Sequence, residues 1–248
     1  MRISHRHKFI FFANPKTGST SVSAAINKFS DISDTPYTDP FNPISNGMFY
    51  SHILPTELEK HFADCGWDWD AYFKFAFVRN PWDRQLSYFC YMMSLAMGVS
   101  PMSRHKNQLS KEFQTPTPPW VKEGKGDSWQ NIILDYARKT KIAPGSNPPR
   151  ILFEKEHFIE FTKKGLWNGP QTDWLCDSLG NNLDYIGQME TMQEDFNLIC
   201  DRIGIPRKTL SKMNYINRPH RRTFYDEETR ENIYNKEKDI IKDFNYVF

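Results

Sequence analysis

Apolar positions along the chain form two kinds of run. Two are short and nearly continuous, "FIFFA" at 9–13 and "YFKFAFV" at 72–78. Neither alternates, so each predicts a strand buried on both faces, as in a parallel sheet. Elsewhere apolar residues recur at helical spacing. From Ser19 onward, Val22, Ala25, Ile26 and Phe29 share one face, and Pro55 to Phe62 suits a short helix. Leu86, Phe89, Cys90, Met93 and Met97 mark a longer helix, opened by Asn80 as N-cap and Pro81 at the first helical position. "SWQNIILDYARKT" (128–140) and "MQEDFNLICDRIG" (192–204) read as amphipathic helices, the second stopped by Gly204 and Pro206. "NLDYIG" (182–187) reads as a further strand. A last helix is expected from about Asp226 to Phe244, with Ile233, Ile240, Ile241 and Phe244 inward. Residues 30–50 and 98–127 read as loops, and 141–181 carries no clear pattern. Strands alternating with helices predict one α/β domain over 1–248, a central parallel β-sheet flanked by helices.

Composition narrows this little. The chain of 248 residues is 39% apolar and 15% aromatic, enough for a sizeable core. A net charge of +2 promises no broad basic face, so nucleic acid is not an expected partner. Basic residues gather locally in "RISHRHK" (2–8) and "RPHRR" (218–222), where solvated surface is the plain explanation. None of the four cysteines forms a C-x-x-C pair, and Cys90 and Cys200 fall in apolar helical patterns as buried thiols. No apolar run approaches 18 residues and no leader-like segment precedes the first strand, which predicts no membrane span and a cytoplasmic location.

The chemistry gathers where the two apolar strands end. "NPKTGSTS" follows the first and opens a helix. Backbone N–H groups from Lys16 to Thr20 at a helix N-terminus favour an anion. Lys16 adds a charge, Thr17, Ser19 and Thr20 add hydroxyls, and Gly18 permits close backbone approach. This differs from the common phosphate loop G-x-x-x-x-G-K-[ST], because the single glycine follows the lysine. "FVRNPWDRQLS" follows the second strand and opens the next helix. Arg79 at the strand end and Ser87 two turns into the helix suit a phosphate monoester. The competing explanation is an arginine paired with Asp83, or, for Arg84, with Asp83 or a distant carboxylate. Two anion sites suggest a ligand with two separated phosphates. A nucleoside triphosphate needs one cradle and a Mg²⁺ partner, and no acidic residue is clearly placed for that. No third ligand accompanies His5 and His7, so no metal is expected.

With these motifs in this order the chain resembles the PAPS-dependent sulfotransferases, in particular the branch of carbohydrate sulfotransferases that includes the 2-O-sulfotransferases. "IFFANPKTGSTSV" looks like their 5′-phosphosulfate loop and "FKFAFVRNPWDRQLSYF" like their 3′-phosphate segment. "LDYIGQMETMQEDFNLICDRIGIP" and "FYDEETRENIYNKEKDIIKDFNYVF" look like their later strand–helix unit and closing helix. The likeness runs from about Lys8 to Phe248 and is weakest over 92–150.

The resemblance implies the P-loop-like sulfotransferase fold, with 98–127 as a substrate-loop insertion. It implies 3′-phosphoadenosine 5′-phosphosulfate (PAPS) as donor, 3′,5′-ADP as product and no metal. Lys16 would stabilise charge on the leaving 5′-phosphate, with Thr17, Gly18, Ser19, Thr20 and Ser21 holding that group. Arg79 and Ser87 would hold the 3′-phosphate, and Arg218 and Arg221 in "NYINRPHRR" are further candidates, balanced against a basic surface turn. His52, in "FYSHILPTELEKHF", is the candidate base for the acceptor. The acceptor would be a carbohydrate or small molecule bearing a hydroxyl or amine. Lys106, Lys111, Lys122 and Lys125 could line a groove for an acidic one. Trp82 is weighed against a core role, and Glu190 and Gln171 are left between structural and substrate-side roles. Two alternatives stay open: a Mg-ATP-dependent kinase with a divergent phosphate loop, and a nucleotide- or glycan-binding module without turnover.

Overall fold

A computed structural model describes residues 1–33, 49–99, 129–146, 150–167, 169–213 and 216–248. Apart from Gly98 and Val99, the expected insertion at 98–127 lies outside the described residues, as do its four lysines. In chain order the elements are strands β1 (Arg2–Ser4) and β2 (Phe9–Phe12), helix α1 (Ser19–Ile26), strand β3 (Ile32–Ser33), helix α2 (Pro55–Asp64), strand β4 (Phe73–Val78) and helix α3 (Pro81–Ala96). There follow α4 (Trp129–Lys139), β5 (Lys141–Ile142), β6 (Ile151–Leu152), α5 (Lys155–Lys163), β7 (Tyr185–Gln188) and α6 (Met192–Arg202). The chain closes with α7 (Arg221–Phe224), α8 (Glu227–Lys236) and α9 (Lys238–Asp243).

These elements fall into two compact units, each assembled from two stretches of chain. Met1–Arg79 joins Gln171–Met213, and Asn80–Pro170 joins Asn214–Phe248. The first unit is built on a five-stranded sheet of order β3-β1-β2-β4-β7. β2, β4 and β7 run parallel, with Phe12 opposite Ala76 and Val78 opposite Gln188. β1 and β3 extend the sheet antiparallel, so the expected parallel sheet is its centre and the whole is mixed.

The two continuous apolar runs form the middle of that sheet, and β2 is fully buried along its length. Because side chains alternate, Phe9, Phe11, Phe75 and Phe77 face one layer. There they pack with Val22, Ala25 and Ile26 of α1 and Phe196, Ile199 and Cys200 of α6. Burial pushes the Cys200 thiol up to about 11, so it is a packed, unreactive group. On α2, Phe62 meets the rings of Trp67, Trp69 and Tyr72 edge-on at 5.1–5.3 Å between centroids.

The second unit is mostly helical. Leu86, Phe89 and Met93 of α3 pack with Ile133 and Tyr136 of α4, Phe158 and Phe161 of α5, and Tyr225 and Ile233. Arg84 and Glu237 form a buried ion pair at 3.0 Å, and Arg84 also donates to the Gly169 carbonyl at 2.9 Å. The expected single helix over 226–244 is two, α8 and α9. It breaks at Glu237, the residue whose carboxylate is buried against Arg84.

Candidate anion site at the strand ends

β2 and β4 are adjacent and parallel, so the loops after them leave the same edge of the sheet. That edge is where open α/β sheets place ligands. After β2 the chain turns sharply. Asn14 is fully buried, and its side-chain amide donates to the Phe77 carbonyl of β4 at 3.1 Å. Thr17 donates its hydroxyl to the Asn14 carbonyl at 2.9 Å. That proton is engaged inside the loop.

Lys16 and Gly18 both adopt left-handed backbone, with φ of 66° and 81°. A β-carbon at Gly18 would fall 2.4 Å from the Met192 terminal methyl, which a flexible side chain can vacate, but the positive φ is what selects glycine. Lys16 has no such licence, and a lysine held there is a strained residue. The bend aims the chain into α1, whose N-cap is Gly18. Gly18 supplies no side-chain cap to that terminus, and no acidic residue occupies its first turn. The first amides of a helix have no partner within it, so α1 presents donors and a positive dipole end to an anion. Ser19 and Thr20 stand in this first turn, Thr20 exposed. Ser21 is buried, and its hydroxyl oxygen accepts from the Met213 N–H at 3.3 Å.

Arg79 follows β4 and is 7% exposed. One guanidinium nitrogen donates to the Lys16 carbonyl at 3.1 Å, so the two motifs meet directly. Its backbone is held by Gln171: the Arg79 N–H donates to the Gln171 Oε1 and the Gln171 amide donates back to the Arg79 carbonyl, each at 2.9 Å.

His52 also reaches this edge. Its Nδ1 lies 2.5 Å from the Ala13 carbonyl. A carbonyl only accepts, so in the neutral ring Nδ1 carries the proton and Nε2 holds the basic lone pair. The His52 carbonyl accepts from the Trp174 indole N–H at 3.2 Å.

The remaining predicted residues belong to the second unit. Ser87 is half-buried on α3. Arg218 and Arg221 converge on the Asp83 carboxylate, at 3.1 and 3.6 Å, and Arg221 also donates to the Val247 carbonyl at 3.2 Å. The Asp83 pairing weighed for Arg79 is thus taken by these two arginines, while Arg84 uses the distant carboxylate of Glu237. Trp82 is a core residue, with its indole N–H on the Arg230 carbonyl at 3.0 Å. Asn14 and Trp174 were not singled out from the sequence, and Gln171 was named without a role. All three act through side chains on distant backbone, which leaves no local pattern.

The candidate anion site, with Lys16 in its first loop, thus lies at the carboxyl ends of two neighbouring parallel strands of an α/β sheet. Residues 1–143 match the profile of the sulfotransferase family, more than half of the 248, and the chain belongs to that family. Carbohydrate sulfotransferase 14 of Danio rerio is 20% identical over 233 residues, which cover 94% of this chain and 54% of that protein. The chain thus spans about half the length of that relative. No solved structure matches. Among the described residues no helix is long and apolar enough to cross a membrane.

Proposed function

We propose that the protein is a sulfotransferase that moves a sulfuryl group from PAPS to a hydroxyl or amine of a carbohydrate or small-molecule acceptor. The observation that carries this reading is the strained Lys16 loop, tied to Arg79, in a chain of the sulfotransferase family. The donor set fits a nucleotide with a 5′ anion: a helix N-terminus, a lysine in the same loop, and a glycine at a left-handed position. The similarity to a protein named as a carbohydrate sulfotransferase favours a sugar acceptor.

When bound, PAPS supplies the activated sulfuryl group. Lys16 and the α1 amides balance the charge that gathers on the departing 5′-phosphate, the kind of preorganised stabilisation that dominates such transfers. His52 Nε2 takes the acceptor proton, and Nδ1–H, anchored on the Ala13 carbonyl, keeps the ring in the tautomer that allows it. Arg79 and Ser87 are the residues proposed to hold the 3′-phosphate. Arg218 and Arg221 could join only by giving up part of their pairing with Asp83.

Calorimetric titration with 3′,5′-ADP, 5′-AMP and Mg-ATP, on wild type and Arg79→Ala, tests this. The expected result is binding of 3′,5′-ADP in preference to the other two, with that preference lost in the variant, and sulfuryl transfer from labelled donor in an acceptor screen. Binding of Mg-ATP with indifference to the 3′-phosphate would sink the proposal and favour a kinase.

A further inference from the structure

We infer that the turn Gln171–Trp174 is a positioning element for the Lys16 site, with Gln171 setting Lys16 through Arg79. This deepens the sulfotransferase reading and rests on it for the chemistry, though not for the geometry.

Gln171 is wholly buried. Its amide makes both bonds that a residue on a neighbouring strand would make, one accepted from the Arg79 N–H and one donated to the Arg79 carbonyl, at 2.9 Å each. The ladder has run out at that point. β2 pairs with β4 only as far as Ala76, and β7 only as far as Val78. Arg79 is the first residue past the sheet, where a chain would ordinarily fray, and one side chain extends the pairing to it. Fixing that backbone fixes where the guanidinium can reach, and it reaches the Lys16 carbonyl at 3.1 Å. A lysine in the left-handed region persists only where its surroundings hold it.

The same short turn reaches the other proposed catalytic group. Trp174, 1% exposed, donates its indole N–H to the His52 carbonyl at 3.2 Å. One four-residue turn therefore braces both the lysine and the histidine, from a position more than 90 residues after the strand it extends.

Gln171→Leu and Gln171→Glu are compared with wild type by steady-state kinetics across pH and by hydrogen exchange of a peptide covering 14–18. With Gln171→Leu, kcat is expected to fall about 100-fold, the scale of a misplacement near 1 Å. Exchange at 14–18 should rise while the thermal midpoint shows a folded protein. Gln171→Glu is the discriminating variant. Protonated, its carboxyl keeps one acceptor and one donor and can rebuild both bonds; ionised, it has no donor for the Arg79 carbonyl. Burial opposes ionisation there. Its activity relative to wild type should therefore climb as pH is lowered, while that of Gln171→Leu stays flat. Equal, flat ratios for the two variants, or unchanged exchange at 14–18, would overturn the inference. Absence of sulfuryl transfer in the wild type would instead overturn the functional proposal, and the exchange measurement would still decide the positioning role.

Discussion

Lys16 carries the charge proposed for the chemistry and a left-handed backbone conformation that disfavours a lysine. Those two properties can be separated by substitution. Lys16→Gly removes the strain and the ammonium together, so stability is expected to rise by about 1 kcal/mol while kcat drops at least about 100-fold. Lys16→Ala should lose the same activity with no such gain. Urea midpoints beside transfer rates check both, and a Lys16→Gly variant less stable than Lys16→Ala would show that the strain is not there. The histidine makes a complementary case. His52→Ala should lower kcat by roughly 100- to 10,000-fold, the range for losing a general base, while leaving the affinity for 3′,5′-ADP close to wild type. A loss of nucleotide affinity instead would move His52 from proton transfer to binding.

At the level of elements, the turn that feeds β2 depends on one carboxylate. Asp31 accepts from the Arg6 N–H at 3.1 Å, the His5 N–H at 2.5 Å and the Ser4 hydroxyl at 3.4 Å. The Arg6 amide does most to lower its carboxyl below the usual carboxylate range; burial opposes it next, and the His5 amide and Ser4 hydroxyl add to the lowering. A depressed folded-state pKa stabilises the protein above the unfolded value and ceases to do so as pH falls through the folded one. Asp31→Asn should therefore be less stable than wild type at pH 7, and the gap should close below about pH 4. Denaturant midpoints of the pair at pH 7 and pH 3 measure it. The strands of this sheet were unequally legible. β2 and β4 stand out because burial on both faces makes them continuous apolar runs. β1 is three residues inside "RISHRHK", where charged neighbours hide a short strand, and β3 is only two. α5 was missed because "KEHFIEFTK" buries only Phe158, Phe161 and Thr162. In the site, Lys16, Gly18 and Arg79 were legible as loop chemistry next to a strand. Gln171 was not legible as their support, since nothing near it in sequence says that its amide will meet a backbone 92 residues away.

For the whole molecule, the second unit relies on a charge pair that the sequence could only half suggest. Arg84 and Glu237 are 4% and 3% exposed and sit 153 residues apart. Removing one partner leaves the other as a buried uncompensated charge. Glu237→Leu should therefore cost about 3–5 kcal/mol, and Arg84→Met with Glu237→Leu should recover much of it. Equal losses in the single and double variants, measured by chemical denaturation, would show that the pair is not coupled. The division into two units was itself illegible, because the chain passes between them after Arg79, Pro170 and Met213 with no linker-like composition to mark the crossings.

That threading bears on how the protein is made. β4 leaves the ribosome about 110 residues ahead of the end of β7, its parallel neighbour. At roughly 5–20 residues per second, the apolar edge from Phe75 to Val78 waits several seconds for its partner strand. Until then the nascent sheet offers an open edge to any other extended segment, and sequence-distant parallel pairing is slow by nature. Production in cells should accordingly be limited by chaperone supply during synthesis more than by the stability of the finished protein. The Gln171 clamp, made only after some ninety further residues, is among the last features of the site to close.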